Sequence, residues 1–171
     1  AEEKTEKTEN TEAKKSEILS KFNQLCTEHP NYSLISQQKN TYLPSVASGE
    51  STLALALEET NRHAPYHIST TATKHGDSYV ISGAKCFVLD GHTADKLLVV
   101  ARSSGQNKSS KGISVFIVDS NTSGITINRT IMMDSRNAAN IHFNNVLVPA
   151  TALIGSEGEA YPLLNTVLDR G

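Results

Sequence analysis

From residue 70 onward, the chain alternates short apolar runs with polar, glycine-containing breaks. Tyr79, Val80 and Ile81 form one run and Cys86, Phe87, Val88 and Leu89 the next, inside the stretch GDSYVISGAKCFVLDG at residues 76–91. Each run has the length of a strand, is rich in β-branched and aromatic residues, and is bounded by Gly or Asp. That pattern predicts a hairpin of paired strands divided by Gly83 rather than a helix. Further runs at residues 70–74, 97–101, 113–118, 125–130, 141–143 and 146–148 read as strands, separated by GHTAD, SSGQNKSSKG, DSNTSG and FNN. Strands at this spacing with no helix between them predict a mainly β fold, an antiparallel barrel or sandwich. Residues 103–111, rich in Gly, Ser and Lys, read as a mobile hairpin tip.

Helical periodicity is confined to the flanks. Ile18, Leu19, Phe22, Leu25 and Cys26 share one helical face, and Pro30 ends that helix near His29. Residues 36–42 read as a short helical turn that Pro44 breaks or restarts. The run LALAL at residues 53–57 suits a buried strand or a helix equally well. Near the C-terminus, Ser156 and Glu159 have the spacing of a capping box ahead of Ala160, Leu163, Leu164, Val167 and Leu168. Residues 1–15 are dominated by Glu, Lys, Thr and Asn and read as a disordered, charged tail.

Composition narrows the function classes. The 171 residues suit one domain, or one domain with pieces of another. With 16 Lys+Arg against 18 Asp+Glu the net charge is −2, which gives no electrostatic footprint for nucleic acid. No apolar run approaches the roughly 20 residues needed to span a bilayer, and no secretion or transit signal is visible. A cytoplasmic or mitochondrial-matrix location is therefore expected. Two cysteines, Cys26 and Cys86, are too few for a disulfide framework. His63 and His67 lie four apart, but Pro65 sits between them in the polar segment EETNRHAPYHIS, which reads as a loop with two exposed histidines rather than a metal site.

Seven segments in order carry a family resemblance: YLPSVASGE, LALALEE, GDSYVISGAKCFVLDG, TADKLLVVARS, GISVFIVDSNTSGITI, the lone Arg136, and IHFNNVLVPATALIGSEGEAY. Together they resemble the middle domain of acyl-CoA dehydrogenases over about residues 36–171. The resemblance implies a β-barrel or sandwich middle domain at residues 51–155, flanked by short helical pieces. Residues 16–50 would be the remnant of an N-terminal helical domain, and residues 156–171 the first helix of a C-terminal one. It also implies α,β-dehydrogenation of an acyl-CoA thioester, in which a carboxylate takes the α proton and the β hydrogen leaves as hydride to the N5 of FAD.

In that family the flavin is faced by a strand end reading apolar-Thr-Glu, a Gly-rich loop ending in Ser-Asp, and a Trp-Ile-Thr triplet. The resemblance places the first on Leu57, Glu58 and Glu59 and the last on Phe87, Val88 and Leu89. Leu57, Glu58, Phe87, Val88 and Leu89 are thereby the expected cofactor-binding residues; the loop's phosphate-facing serine falls on Ala64 counted from the first strand, the expected substrate-side residue, or on His63 counted back from Gly76. Three of these depart from the pattern. Glu58 replaces a hydroxyl donor with a carboxylate that only accepts when ionised, and Ala64 and Leu89 lack a hydroxyl altogether. The family's catalytic base belongs to the C-terminal helical domain, so no catalytic residue and no metal are assigned here. The implied partners are an acyl-CoA substrate, an electron-accepting flavoprotein or other acceptor, and further copies of a full-length chain. Two other readings stay open: a non-catalytic divergent relative serving binding or assembly, and an unrelated β-sandwich module.

Overall fold

The computed structural model describes residues 36–133 and 137–170. The tail at 1–15, the helix read around Ile18–Cys26, and Arg136 lie outside the described residues. The elements are helix α1 (Ser36–Ser48), strands β1 (Leu53–Ala56), β2 (Thr71–His75), β3 (Ser78–Leu89), β4 (Lys96–Arg102), β5 (Ile113–Asp119), β6 (Ile125–Ile131), β7 (Asn137–Pro149) and β8 (Leu153–Ile154), and helix α2 (Tyr161–Leu168). The strands form one eight-stranded, mainly antiparallel sheet in the order β6-β7-β3-β2-β4-β5-β8, with β1 pairing off β4. It does not close on itself. The expected mainly β architecture with helical flanks is thus present, with two departures from antiparallel order: β1 runs parallel to β4, from Leu53 opposite Lys96 to Ala56 opposite Val99, and β2 meets β4 in parallel at Thr71 opposite Arg102. The 39 residues between the end of β1 and the start of β4 make the β1–β4 crossover accessible, because a parallel pair needs a long connection.

Gly83 does not divide a hairpin. β3 runs unbroken for 12 residues, with β2 on one side and β7 on the other. The turn lies instead at Gly76 (φ 60°), between β2 and β3. Gly83 answers a different need: a Cβ there would sit 2.6 Å from Thr70 Oγ1 and 2.7 Å from the Thr70 Cα. It marks a close backbone approach within a strand rather than a turn. The FNN break is likewise no break. β7 is continuous over 13 residues, and Asn144 and Asn145 are absorbed as a bulge between the pairs Ile81–Val146 and Gly83–Phe143.

Most of the core lies on the inner face of the sheet. Tyr79, Ile81, Leu97, Val99, Phe116, Ile141, Phe143 and Val146 are all at most 3% exposed there. Fully burying a residue of this size contributes roughly 1.5–3 kcal/mol. Tyr79 packs against Phe116 with ring centroids 5.0 Å apart, and its hydroxyl donates to Glu157 Oε2 at 2.8 Å. Burial, with the Glu157 carboxylate beside it, pushes the Tyr79 phenol up to about 12. A second cluster of Leu57, Ile68, Val100, Ile113 and Leu164 seats α2 on the other face.

Two helix readings change. α1 continues through Pro44, and its C-terminal carbonyls are served by side chains, with Ser45 Oγ donating to Tyr42 O and Ser48 Oγ to Ser45 O. Gln38 pins this helix to the sheet by donating from Nε2 to the carbonyls of Thr151 (2.7 Å) and Leu153 (2.9 Å). These anchors offset the backbone donor that proline lacks. The capping box does not form at α2. The cap is Ala160, whose methyl side chain cannot accept a hydrogen bond; its N–H donates to Ile113 O at 2.9 Å, and residues 156–159 form a turn of their own ahead of the helix. The glycine- and serine-rich loop after β4 is held from beneath by the buried Arg102. Its guanidinium donates to the carbonyls of Lys111 (2.9 Å) and Ser109 (3.0 Å), and also to Ile68 and Tyr66.

Candidate functional site

Just past β1 the chain is tied to the far end of β3. Glu58 O accepts from Cys86 N at 2.8 Å, and Leu57 O from Lys85 Nζ at 3.0 Å. Lys85 is fully buried and forms an ion pair with Glu59 Oε1 at 2.8 Å. The Glu59 carboxylate also receives the backbone N–H groups of Ser69 (2.6 Å) and Thr70 (2.9 Å). Burial pushes the Lys85 ammonium down to about 8, with the Glu59 charge offsetting only part of that cost. For Glu59, burial raises the acid, but the Lys85 charge and the Lys85 and Thr70 hydrogen bonds together hold it below the usual carboxylate range. This pair clamps the loop that follows β1 at both of its ends.

Beyond Lys85, β3 bulges. Cys86 and Phe87 together oppose the single residue Asn140, between the pairs Lys85–Ile141 and Val88–Ala139. Phe87 takes a left-handed backbone (φ 53°), uncommon for a bulky side chain, and its N–H donates to Asn140 Oδ1 at 3.2 Å. A bulge redirects a side chain, and here it turns Phe87 out of the sheet, leaving it 56% exposed. The ring borders a cleft of about 740 Å³ whose other walls include Glu58, Arg62 and His63 on the loop, Thr130 on β6 and Asn140 on β7. That volume lies within the range of small-molecule sites.

Glu58 and Glu59, adjacent in sequence, turn to different partners. Glu58 Oε1 is 2.6 Å from His63 Nδ1, and Glu58 Oε2 accepts the Ala64 N–H at 3.2 Å. Cys86 Sγ donates to Thr60 O at 3.0 Å, and burial together with the Glu58 charge pushes this thiol up, away from reactivity.

Of the residues expected to meet a cofactor, Glu58 and Phe87 line the cleft. Val88 is 1% exposed and faces the core beside Ala139, because strand alternation turns it away from the outward Leu89. Leu57 is 5% exposed and belongs to the second core cluster. Neither can offer a side chain to a ligand, and the Leu57 carbonyl is taken by Lys85. Leu89 is 51% exposed, and Ala64 contributes its backbone N–H to Glu58 rather than a side chain to the cleft. Sequence reasoning missed Arg62, Thr130 and Asn140, and read His63 as an exposed loop histidine. No local pattern signals Asn140. The five-residue spacing of Glu58 and His63 across a polar loop was the one available clue to their contact.

Residues 54–146 match the family description "Acyl-CoA dehydrogenase, middle domain". Over 158 residues the chain is 32% identical to the short-chain-specific acyl-CoA dehydrogenase of Clostridium acetobutylicum, covering 90% of this chain and 41% of that protein. It is 40% identical over 136 residues to the cyclohex-1-ene-1-carbonyl-CoA dehydrogenase of Geobacter metallireducens, covering 76% and 35%. Among solved structures it is similar to the butyryl-CoA dehydrogenase of Megasphaera elsdenii, with a TM-score of 0.72 at 29% identity over 78% of this chain and 36% of that one. The chain thus spans well under half the length of these relatives. These likenesses set aside the reading as an unrelated β-sandwich. With the family match over more than half of the chain and the sequence and structural likenesses agreeing, the chain belongs to the acyl-CoA dehydrogenase family and comprises its middle domain.

Proposed function

We propose that this chain is the flavin-facing middle domain of an FAD-dependent acyl-CoA dehydrogenase, working in the cytoplasm or mitochondrial matrix. Residues 51–155 form that domain, residues 16–50 the end of a preceding helical domain, and residues 156–171 the start of a following one. The observation that carries the reading is Phe87. A strained backbone and a two-residue bulge hold an aromatic ring exposed beside an open cleft, as a stacking platform for a planar heterocycle requires.

The residues present fit a flavin in shape and in charge. The cleft has the volume for a large ligand, and both of its carboxylates are already engaged, Glu58 by His63 and Glu59 by Lys85. When bound, the flavin supplies the hydride-accepting chemistry that no side chain provides. This chain's own part is to seat the ring on Phe87, keep Glu58 turned toward His63, and fix the loop through Lys85 and Glu59. The base that removes the α proton, the acyl-CoA chain-length pocket, the electron acceptor and the neighbouring subunit belong to the rest of such a protein.

A second reading, a relative that keeps the fold without the reaction, is favoured by Glu58 and Leu89, which offer no hydroxyl to the ring. Purifying the full natural chain separates the two. A yellow protein whose flavin bleaches anaerobically with an acyl-CoA of suitable length supports the dehydrogenase. Retained flavin that no acyl-CoA bleaches supports the second reading. A colourless protein that takes up no added FAD refutes the flavin site.

A further inference from the structure

The charges around the cleft do not cancel. Glu58 is engaged by His63 Nδ1 and the Ala64 N–H, and Glu59 by Lys85, Ser69 and Thr70. The Cys86 thiol is held neutral by burial and by the carboxylate beside it. Arg62, by contrast, lines the cleft with a guanidinium that has no ion-pair or hydrogen-bond partner among the described residues. Its backbone is nevertheless held in place. Thr60 Oγ1 donates to Arg62 O at 3.1 Å and accepts the Arg62 N–H at 3.3 Å. Among the described residues the cleft is therefore left with an unpaired guanidinium on a tethered backbone, and an adjacent imidazole whose Nδ1 is taken by Glu58 while its Nε2 stays available.

Arginine presents a planar fork of donors matched to phosphate oxygens. The phosphate-facing serine of the family pattern falls on Ala64 when counted from β1 and on His63 when counted back from Gly76, and neither residue has a hydroxyl to give. We infer that Arg62 and His63 supply the phosphate contact of this cleft, with Glu58 acting as the positioning residue that orients His63. The Glu58 carboxylate and the His63 imidazole, each a departure from the hydroxyl-and-glycine pattern of the family, touch at 2.6 Å and form a single unit. The ligand class is a flavin carrying phosphate, so the inference rests on the flavin site proposed above.

The test is equilibrium binding of riboflavin, FMN and FAD to the flavin-stripped full natural chain, over a range of salt concentrations. Riboflavin shares the ring and lacks the phosphate, so it isolates the contact in question. Arg62→Ala is expected to weaken FMN and FAD by about tenfold to a hundredfold, leave riboflavin unchanged and flatten the salt dependence. Arg62→Lys is expected to recover part of the loss, which also controls for folding at this exposed position. His63→Gln and Glu58→Gln should each weaken FMN and FAD, and the double variant should lose no more than the larger single loss, as expected for residues acting as one unit.

Equal losses for all three flavins in Arg62→Ala would overturn the inference, because Arg62 would then serve the ring or the fold. Unchanged FAD affinity in both Arg62→Ala and His63→Gln would overturn it while leaving the flavin site standing. Failure of the unaltered protein to bind any of the three flavins would overturn the inference and the flavin site together.

Discussion

Replacing Lys85 with Met removes the cation from a pair that is almost wholly enclosed, with side-chain exposures of 0% for Lys85 and 9% for Glu59. Methionine fills a similar volume, so the loss is electrostatic rather than a cavity. Breaking one side of a buried pair costs about 3–5 kcal/mol, because the remaining charge is left uncompensated. Glu59 keeps the Ser69 and Thr70 N–H donors, which puts the cost at the lower end, about 3 kcal/mol. For a chain of this size that lowers Tm by roughly 6–12 °C. The double variant Lys85→Met/Glu59→Gln leaves no net charge behind but keeps a carbonyl acceptor for only one of the two amides, which bond to separate carboxylate oxygens, so it should recover part of the loss.

The pH dependence adds a second readout with a definite sign. Lys85 titrates at about 8 in the folded protein against 10.5 when unfolded, so between those values the unfolded chain binds more protons. Stability attributable to Lys85 therefore rises with pH across that window, by on the order of 3 kcal/mol. Glu59 acts in the opposite pH range. Its folded value lies below 4.5, so its contribution is present at neutral pH and is lost as the solution is acidified through that folded value. Urea denaturation of the unaltered protein and Lys85→Met at several pH values measures both effects. A loss under about 1 kcal/mol at pH 7, or a stability gap that stays constant from pH 8 to 10.5, would refute the buried-pair account.

Gly83→Ala should lower stability by at least about 1–3 kcal/mol in the same denaturation assay, since the new Cβ meets the Thr70 backbone at 2.7 Å and must push two strands apart. Tyr79→Phe should cost about 1 kcal/mol for the lost Glu157 bond and should remove from a spectrophotometric titration a phenol that ionises near pH 12. Arg102→Met should release the carbonyls gathered around the guanidinium, so that limited trypsin digestion at Lys108 and Lys111 speeds up by tenfold or more while β4 itself stays protected.

How much of this was legible in the sequence depended on whether a residue's role was local. The Gly76 turn and the strands of the second half follow from composition and spacing over a few residues, whereas LALAL, open between strand and helix in the sequence, becomes a strand over Leu53–Ala56 only by pairing with β4. Gly83 and the Asn144–Asn145 pair are not legible locally either, because glycine and asparagine mark turns, bulges and close approaches alike. Only the strand packed alongside, with Thr70 against Gly83, decides among these. Pro44 sits inside a helix for a comparably distant reason, the Gln38 bonds to residues more than a hundred positions away. At the site, Phe87 and Glu58 were reachable from the family pattern. The Lys85–Glu59 pair links residues 26 apart, and the facing of Phe87 by Asn140 links residues 53 apart; both depend on register and are silent in the one-dimensional pattern.

The loop between Glu59 and Thr70 hangs from a frame that does not depend on what the loop contains. At one end Glu58 O is fastened to the Cys86 N–H, and at the other the Thr70 N–H is fastened to a carboxylate that Lys85 holds in place. The span between behaves as an exchangeable cartridge: residues can be lost, or hydroxyls traded for Arg and His, without shifting the strand that presents Phe87. Side chains facing this cleft can thus be exchanged along the loop while the strands on which Phe87 stands keep their register.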